Sequence, residues 1–402
     1  MNILYTITRY WPAIGGAETH VRQIATELSN EHGVHVIAHS MDQRVDPVYV
    51  STVGTPAEDQ TYMDGSATVH IPGITAIERL RLRPASRLYH YPLTKRTSYR
   101  FYASVFATKM EQLIREHQID IVHNVLVGTE LLSQCSLEIA HKLGLPFVIT
   151  PLVHEGIWGD SEYCFEIYRK ADAVVALLDV ERRLYLNNGV PENRSHIVGV
   201  SPVIAETFDA EAFRAHHHIG GRIVLFVGRQ VRSKGYAELL EAAPLVWQQH
   251  PDLSFIFVGP SEEAEYSVDH DGDKRILRLG PLSDSEKSSA LAACDIFCLP
   301  SVSEIMPTAI LEAWQFGKPV IGGDIPALRE LIEDKGAGLN VAQNPEAIAQ
   351  SLIGLLDDPD YARQLGEQGK ARVEEHYTTR RVASRLEELY GELCGRNLGQ
   401  HS

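Results

Sequence analysis

The sequence predicts an α/β fold built from two doubly wound, parallel-sheet domains, and three observations point there. Short, continuously apolar runs alternate with amphipathic helical stretches. The alternation stops near residue 201 and restarts near residue 222. The chain is 402 residues long, and at roughly 150 residues per domain it can bury two or three cores. Hydrophobic residues at 44 % and charged residues at 22 % give the profile of an ordinary globular protein and exclude disorder and fibrous folds. Lys plus Arg at 37 against Asp plus Glu at 53 gives 37 − 53 = −16, which argues against a nucleic-acid partner.

The expected N-terminal domain spans residues 1–200. It opens with a strand at Ile3 to Thr8, a turn at Gly15-Gly16, and a helix whose Val21, Ile24, Ala25 and Leu28 fall at i, i+3, i+4 and i+7. A strand at Val34 to His39 follows. Helices near Ala103 to His117 and Leu131 to Leu143 then alternate with strands at Ile119 to His123 and Pro146 to Thr150. Helices on both faces of a parallel sheet are the economical packing of such a series.

Residues 201–221 are acidic and histidine-containing, end in Gly220-Gly221, and read as a linker. The expected C-terminal domain, residues 222–376, begins with an apolar strand at Arg222 to Val227, a helix over Tyr236 to Gln249 and a strand at Leu253 to Val258. Strands at Asp295 to Leu299 and Pro319 to Ile321 flank a helix from about Thr308 to Phe316. The tail, residues 377–402, carries a helix over Thr379 to Cys394 that can dock on either domain. The five cysteines (Cys135, Cys164, Cys294, Cys298, Cys394) are few and unpaired in pattern, as for reduced thiols. The first residues form a strand pattern without a basic leader, and no apolar run reaches the ~18 residues of a membrane span. A cytoplasmic protein is the expectation.

Several positions can carry chemistry. Gly15 and Gly16 lie between the first strand and helix, where a backbone without Cβ atoms approaches a ligand and helix amides meet an anion; a turn chosen for packing needs the same residues. Gly228 also follows a strand directly. Arg229 and Lys234 lie in the loop leaving that buried strand, at the sheet edge where α/β proteins bind ligands. There they can neutralise a diphosphate, Arg by paired hydrogen bonds and Lys as a point charge, or else form a solvated basic loop. Glu304 is in the loop after the buried strand Asp295 to Leu299, and Glu312, eight residues on, is in the first turns of the following helix, where it could equally be a first-turn acid favourable to the helix dipole. Carboxylates accept from pairs of sugar hydroxyls, and phosphate suits the helix N-terminus between them, at Met306, Thr308 and Ala309.

These elements in this order resemble the retaining family 4 glycosyltransferases, whose GT-B architecture has two Rossmann-like domains facing across a cleft. The resemblance covers nearly the whole chain. It rests on the glycine turn followed by Ala17-Glu18-Thr19-His20, the run Ala171-Asp172-Ala173-Val174-Val175-Ala176, Gly189-Val190-Pro191, the Gly228-Arg229 to Lys234-Gly235 loop, the paired glutamates, and Gly317-Lys318-Pro319-Val320-Ile321. It implies that Arg229 and Lys234 grip the donor diphosphate and stabilise it as leaving group. It implies that Glu312 binds the nucleotide ribose, Glu304 contacts donor-sugar hydroxyls, and the backbone around Leu282 lies along the nucleobase. Gly16 would approach the diphosphate or the acceptor. The partners implied are a nucleoside-diphosphate sugar and a carbohydrate or lipid-linked acceptor, with no metal and no other cofactor, in polysaccharide or glycolipid assembly.

The sequence departs from the family at two places. Ile305-Met306-Pro307 follows Glu304 where relatives often have Gly-Phe-Gly or Gly-Phe-Pro; Ile305 stiffens the loop and Pro307 removes an amide donor. In Thr150-Pro151-Leu152-Val153-His154 the histidine stands two residues later than in many relatives, so His154 is either the active-site histidine or one merely hydrogen-bonded in a loop. His123, at a strand end, is a second histidine placed to face the acceptor. His216-His217-His218 has no ligand-spaced acid or cysteine and reads as solvated. Asp269-His270-Asp271-Gly272-Asp273 fails as a calcium loop because its twelfth position is Gly280. Residues 79–109 reverse the local charge, with Arg79, Arg81, Arg83, Arg87, Lys95, Arg96, Arg100 and Lys109 among Tyr89, Tyr91, Tyr99, Phe101 and Tyr102. They suit peripheral contact with anionic headgroups at the inner membrane face or with a phosphate-bearing acceptor, or else a solvated, irregular face with aromatics in the core. Two other readings stay open: a GT-B sugar epimerase, which needs acid-base groups on both faces of the sugar, and a catalytically silent nucleotide-sugar-binding scaffold.

Overall fold

The computed structural model describes residues 1–13, 15–41, 46–126, 129–261 and 272–400, the last five by their backbone alone. The chain forms two compact units, Met1–Gly199 with Thr379–Ser402, and Val200–Thr378.

The first unit holds an eight-stranded sheet: β1 (Asn2–Thr6), β2 (Gly33–Ile37), β3 (Gln60–Asp64), β4 (Ala67–Ile71), β5 (Ile121–Val125), β6 (Phe147–Thr150), β7 (Ala173–Ala176) and β8 (Ser195–Ile197), in the order β3-β4-β2-β1-β5-β6-β7-β8. All neighbours are parallel except β3 and β4. Every residue of β5, β6 and β7 is buried, which is why β6 and β7 read as apolar runs rather than alternating ones, while β5 carries the buried polar pair His123 and Asn124. Strand β3 is a polar, largely exposed edge, and its lack of an apolar run kept the β3–β4 hairpin out of the sequence reading.

Residues 79–109 are helical rather than irregular. A Thr75–Glu78 capping box starts the Ala76–Leu88 helix, a short turn at Pro92–Thr94 follows, and the Lys95–Glu116 helix packs back against the first. Tyr102 is fully buried, and Tyr89 and Tyr99 pack on the same core. The C-terminal helix, Thr379–Gln400, docks on the first unit against the Gly16–Leu28 helix. It buries Val382, Ala383, Leu386 and Tyr390 there, and the Tyr390 hydroxyl meets that of Tyr5 at 2.8 Å.

The second unit holds six parallel strands: β9 (Ile223–Val227), β10 (Ser254–Val258), β11 (Ile276–Gly280), β12 (Ile296–Leu299), β13 (Val320–Gly323) and β14 (Gly338–Val341), in the order β11-β10-β9-β12-β13-β14. The order reverses at β9, which lies between β10 and β12; in the first sheet it reverses at β1, between β2 and β5. At such switch points the loops leaving the strands diverge to opposite faces and open a crevice at the carboxyl edge. Residues 201–221, expected as a linker, belong to this unit. Their composition hid a short helix, Ala210–His216, that packs on the Asp284–Ala293 helix. The Arg214 guanidinium holds it there by donating to the carbonyls of Gly221 and Ala293 at 2.7 and 2.6 Å.

None of the five cysteines is paired, and no helix among the described residues is long and apolar enough to cross a membrane.

Candidate functional site

In the second unit the loops after β9 and β12 are sewn together at the switch point. The Gly228 amide donates to the Val258 carbonyl at 2.9 Å. A Cβ on Gly259, whose φ is +125°, would lie 2.1 Å from the Gly228 oxygen, so these turns need glycine to approach. The turn Arg232–Lys234 ends at Gly235, φ +74°, where a Cβ would sit 2.4 Å from the Pro300 carbonyl. Beyond it the Val302 amide and the Ser301 hydroxyl both donate to the Ser233 carbonyl at 2.9 Å.

The consequence is chemical. Lys234 Nζ donates to the Ser303 carbonyl at 3.1 Å and to Glu304 Oε1 at 2.5 Å. Both side chains are largely shielded, 16 % and 8 % exposed, so this is a charge pair in a low-dielectric setting. Arg229 stands at the exposed mouth of the same loop.

Glu312 lies on the Thr308–Gln315 helix, which no side chain caps, and is 2 % exposed. Its Oε1 accepts from Lys287 Nζ at 3.0 Å and from the Val203 amide at 3.3 Å. Burial pushes the carboxyl above its usual range, with Lys287 and the Val203 amide pulling the other way. The segment that supplies Val203 is part of the stretch expected as linker. Thr308 and Ala309 form the first turn of the helix, Met306 is buried beside it, and Leu282 is half-buried just after Gly280, whose φ is +61°.

In the first unit, Gly15 and Gly16 open the Gly16–Leu28 helix, which has no side-chain cap. A Cβ on Gly16 would meet open space, whereas one on Gly15 would lie 2.3 Å from Glu18 Oε2. Glu18, 3 % exposed, is paired with Arg9 at 2.7 Å.

His123 is not on a ligand-facing surface. It is 1 % exposed, with Nδ1 2.5 Å from the Tyr390 hydroxyl and Nε2 2.8 Å from the Thr150 hydroxyl. Burial, with His20 nearby, pushes it down to about 3, so it is neutral and serves the interior. His154 is half-buried in a tight loop. Its amide donates to the Trp158 carbonyl at 3.1 Å, and the Trp158 indole N–H donates to its Nδ1 at 2.5 Å. Since an indole only donates, Nδ1 is the acceptor in that bond.

Trp158 also lines a recess that the sequence reading missed, with Tyr89, Lys95, Glu130, Ser161 and Cys164 around it. Glu130, 5 % exposed, accepts from Lys95 at 2.8 Å and from the Tyr89 hydroxyl. Burial raises its carboxyl, but Lys95 and Tyr89 outweigh that and hold it below the usual range. No sequence signal joins these groups, which lie 35 and 41 residues apart from Glu130. His216 ends the short Ala210–His216 helix and His217 and His218 follow it. Asp269, His270 and Asp271 lie outside the described residues.

Comparison with known proteins divides the chain in the same way. Residues 14–199 match the family described as Glycosyltransferase Family 4, and residues 209–372 match Glycosyl transferases group 1. The phosphatidyl-myo-inositol mannosyltransferase of Mycolicibacterium smegmatis is 26 % identical over 398 residues, covering 95 % of this chain and 91 % of that protein. The MMP alpha-(1->4)-mannosyltransferase of Mycolicibacterium hassiacum is 28 % identical over 306 residues, 70 % of this chain and 72 % of its own. Among solved structures, sucrose-phosphate synthase from Thermosynechococcus elongatus superposes with a TM-score of 0.71 at 19 % identity over the whole of both chains. The Anabaena HepE protein in complex with UDP and glucose gives 0.67 at 17 % identity, over 98 % of this chain and 100 % of that one. The two sheets are thus those of the GT-B fold.

Proposed function

The chain belongs to the glycosyltransferases that these two families describe, and on that premise we propose a retaining, metal-independent hexosyltransferase that uses a nucleoside-diphosphate sugar. The observation that carries this reading is the shielded Lys234–Glu304 pair at the β9/β12 switch point, on the loop that also carries the exposed Arg229. The bond between the anomeric carbon and the distal phosphate oxygen breaks, and a bond from that carbon to the acceptor oxygen forms on the same face. The leaving phosphate oxygen takes the acceptor's proton. Negative charge develops on the diphosphate, and Arg229 and Lys234 are the two cations of this loop that would stabilise it. Glu304 receives donor-sugar hydroxyls, and the partly buried Lys234 is held ready by it until phosphate competes. Glu312 is held by Oε1, and Oε2 is the oxygen we assign to the ribose hydroxyls. The unprotected amides of Thr308 and Ala309 suit phosphate.

The acceptor is a carbohydrate or lipid-linked hydroxyl, which Gly15, Gly16 and the Trp158–Glu130 recess of the first unit would receive. The name of the mycobacterial relative, a phosphatidyl-inositol mannosyltransferase, supports a lipid-borne acceptor. Exposed Ile77, Leu80, Tyr91 and Leu93 beside Arg81, Arg83 and Arg87 support peripheral contact with an anionic membrane, each nearby cation contributing about 1 kcal/mol. Sedimentation with vesicles tests this: binding to phosphatidylglycerol but not phosphatidylcholine vesicles is expected, weakened by Arg81→Glu with Arg87→Glu, and equal binding to both vesicle types would count against it.

The donor reading is tested by thermal shift against UDP-, GDP- and ADP-sugars with EDTA present. A ligand at 100 times its Kd stabilises by about 2.7 kcal/mol, and Glu312→Ala and Arg229→Ala should each abolish the shift. A shift that appears only when metal is added, or none at all, would overturn it.

A further inference from the structure

Three histidines that the transfer chemistry does not use converge on one face of the first sheet. His35 is on β2 and His70 on β4, adjacent parallel strands in the register His35↔Thr68 and Ile37↔His70, so both rings rise from the same side of the pleat. His117 caps the C-terminal end of the Lys95–Glu116 helix, and Gln118 behind it, at φ +49°, turns the chain back toward β5. Among the described residues this is the one group of three or more potential metal ligands whose donor atoms lie together, all within 4.8 Å of one another. His35 Nδ1 and His70 Nε2 are 3.1 Å apart, and the ring centroids of His117 lie 4.2 and 5.0 Å from those of His35 and His70.

We propose that His35, His70 and His117 form a zinc site that fastens the end of the Lys95–Glu116 helix to β2 and β4. A tetrahedral zinc ion with Zn–N bonds of 2.0–2.1 Å holds its nitrogens about 3.3 Å apart. The His35–His70 pair is already at that spacing, and His117 reaches it by a shift of at most about 1.5 Å, the scale of a ring rotation. The donor set also fits the ion: three imidazole nitrogens suit a borderline-soft cation without geometric preference, with water as fourth ligand. His70 is buried and the other two are half-buried, so the ion is shielded yet reachable. A site of this kind serves cohesion of the first unit, and the donor chemistry of the second does not depend on it.

The experiment uses the untagged, full-length protein, stripped with EDTA and dialysed, then titrated calorimetrically with zinc chloride and, separately, with cobalt(II) read by its visible spectrum. One saturable equivalent is expected, with tetrahedral cobalt bands and a raised thermal midpoint. His70→Gln and His117→Gln should each weaken it by roughly 10²-fold, at least as much as loss of an outer-shell partner costs. Changing His216, His217 and His218 together to Ala should leave it unchanged. If His70→Gln does not fold, shown by circular dichroism without zinc, half-exposed His35→Gln replaces it. The proposal falls if zinc binds equally to the His35, His70 and His117 variants, if binding vanishes with the 216–218 run instead, or if only millimolar, unsaturable binding is seen.

Discussion

Lys234 and Glu304 are each other's partner in the absence of a ligand, so replacing either changes two things at once. Lys234→Ala removes a cation from the diphosphate and leaves a carboxylate with 8 % exposure unpaired. Turnover should fall on the order of 10²- to 10³-fold, as on removal of one donor to a developing oxyanion, which steady-state kinetics would measure; a loss under tenfold would exclude Lys234 from the transition state. The buried histidines set a pH dependence of stability. His39 and His123 are pushed down to about 3 by burial, whereas the unfolded value is 6.5. Below pH 6.5 the unfolded chain binds protons that the folded one refuses, so their contribution is complete above that pH and is lost as pH falls toward 3. Between pH 6.5 and 5 each should cost roughly 2 kcal/mol. Urea unfolding at pH 7.5 and 5.0 should show that loss, reduced by about that amount in His39→Gln. The charged residues after buried strands were legible, because strand ends in a parallel sheet announce a ligand edge. His123 was misread because the strand was ended too early: it is the middle residue of β5, Ile121–Val125, with its ring in the interior rather than at the ligand edge.

At the scale of elements, close approaches of backbone decide where Glu304 stands. Gly235→Ala would force a Cβ to 2.4 Å from the Pro300 carbonyl at a φ of +74°, costing about 2 kcal/mol or more. Gly323→Ala is sharper, with a Cβ 1.8 Å from the Ser301 carbonyl. Both should lower the thermal midpoint and also raise the donor KM, because Pro300 and Ser301 lead into Glu304; a variant stable enough to assay with unchanged KM would separate the strap from the site. The alternation of strands and helices was readable since most of the buried parallel strands are apolar runs. The β3 edge and the Ala76–Leu88 helix were not: one is polar and exposed, and the other carries Pro84 inside it. The recess at Glu130 depends on Tyr89, Lys95 and Ser161 from separate elements, and no local pattern encodes such a meeting.

For the whole molecule, right-handed crossovers narrow the orders open to the six parallel strands β11-β10-β9-β12-β13-β14 once the alternation is given, whereas the antiparallel β3 edge of the eight-strand sheet lies outside that rule. The docking partner of the last helix does not follow from sequence, since its apolar stripe would suit either unit. Tyr390 answers the question through its bonds to Tyr5 and His123. Tyr390→Phe leaves both without that partner and should destabilise the first unit by about 1–3 kcal/mol. Calorimetry should show the transition of that unit moving down while that of residues 200–378 stays in place.

The first unit is therefore discontinuous: residues 200–378 are made between its sheet and its closing helix. At roughly 5–20 residues per second, translating those ~180 residues takes on the order of ten to forty seconds. Throughout that interval Tyr5 and His123 lack their last partner, and the face of the Gly16–Leu28 helix that Leu386 and Tyr390 will cover is bare. The unit that starts first on the ribosome finishes last, after its successor has been synthesised. A released chain truncated after residue 378 should be protease-sensitive in residues 1–199 and resistant in residues 200–378.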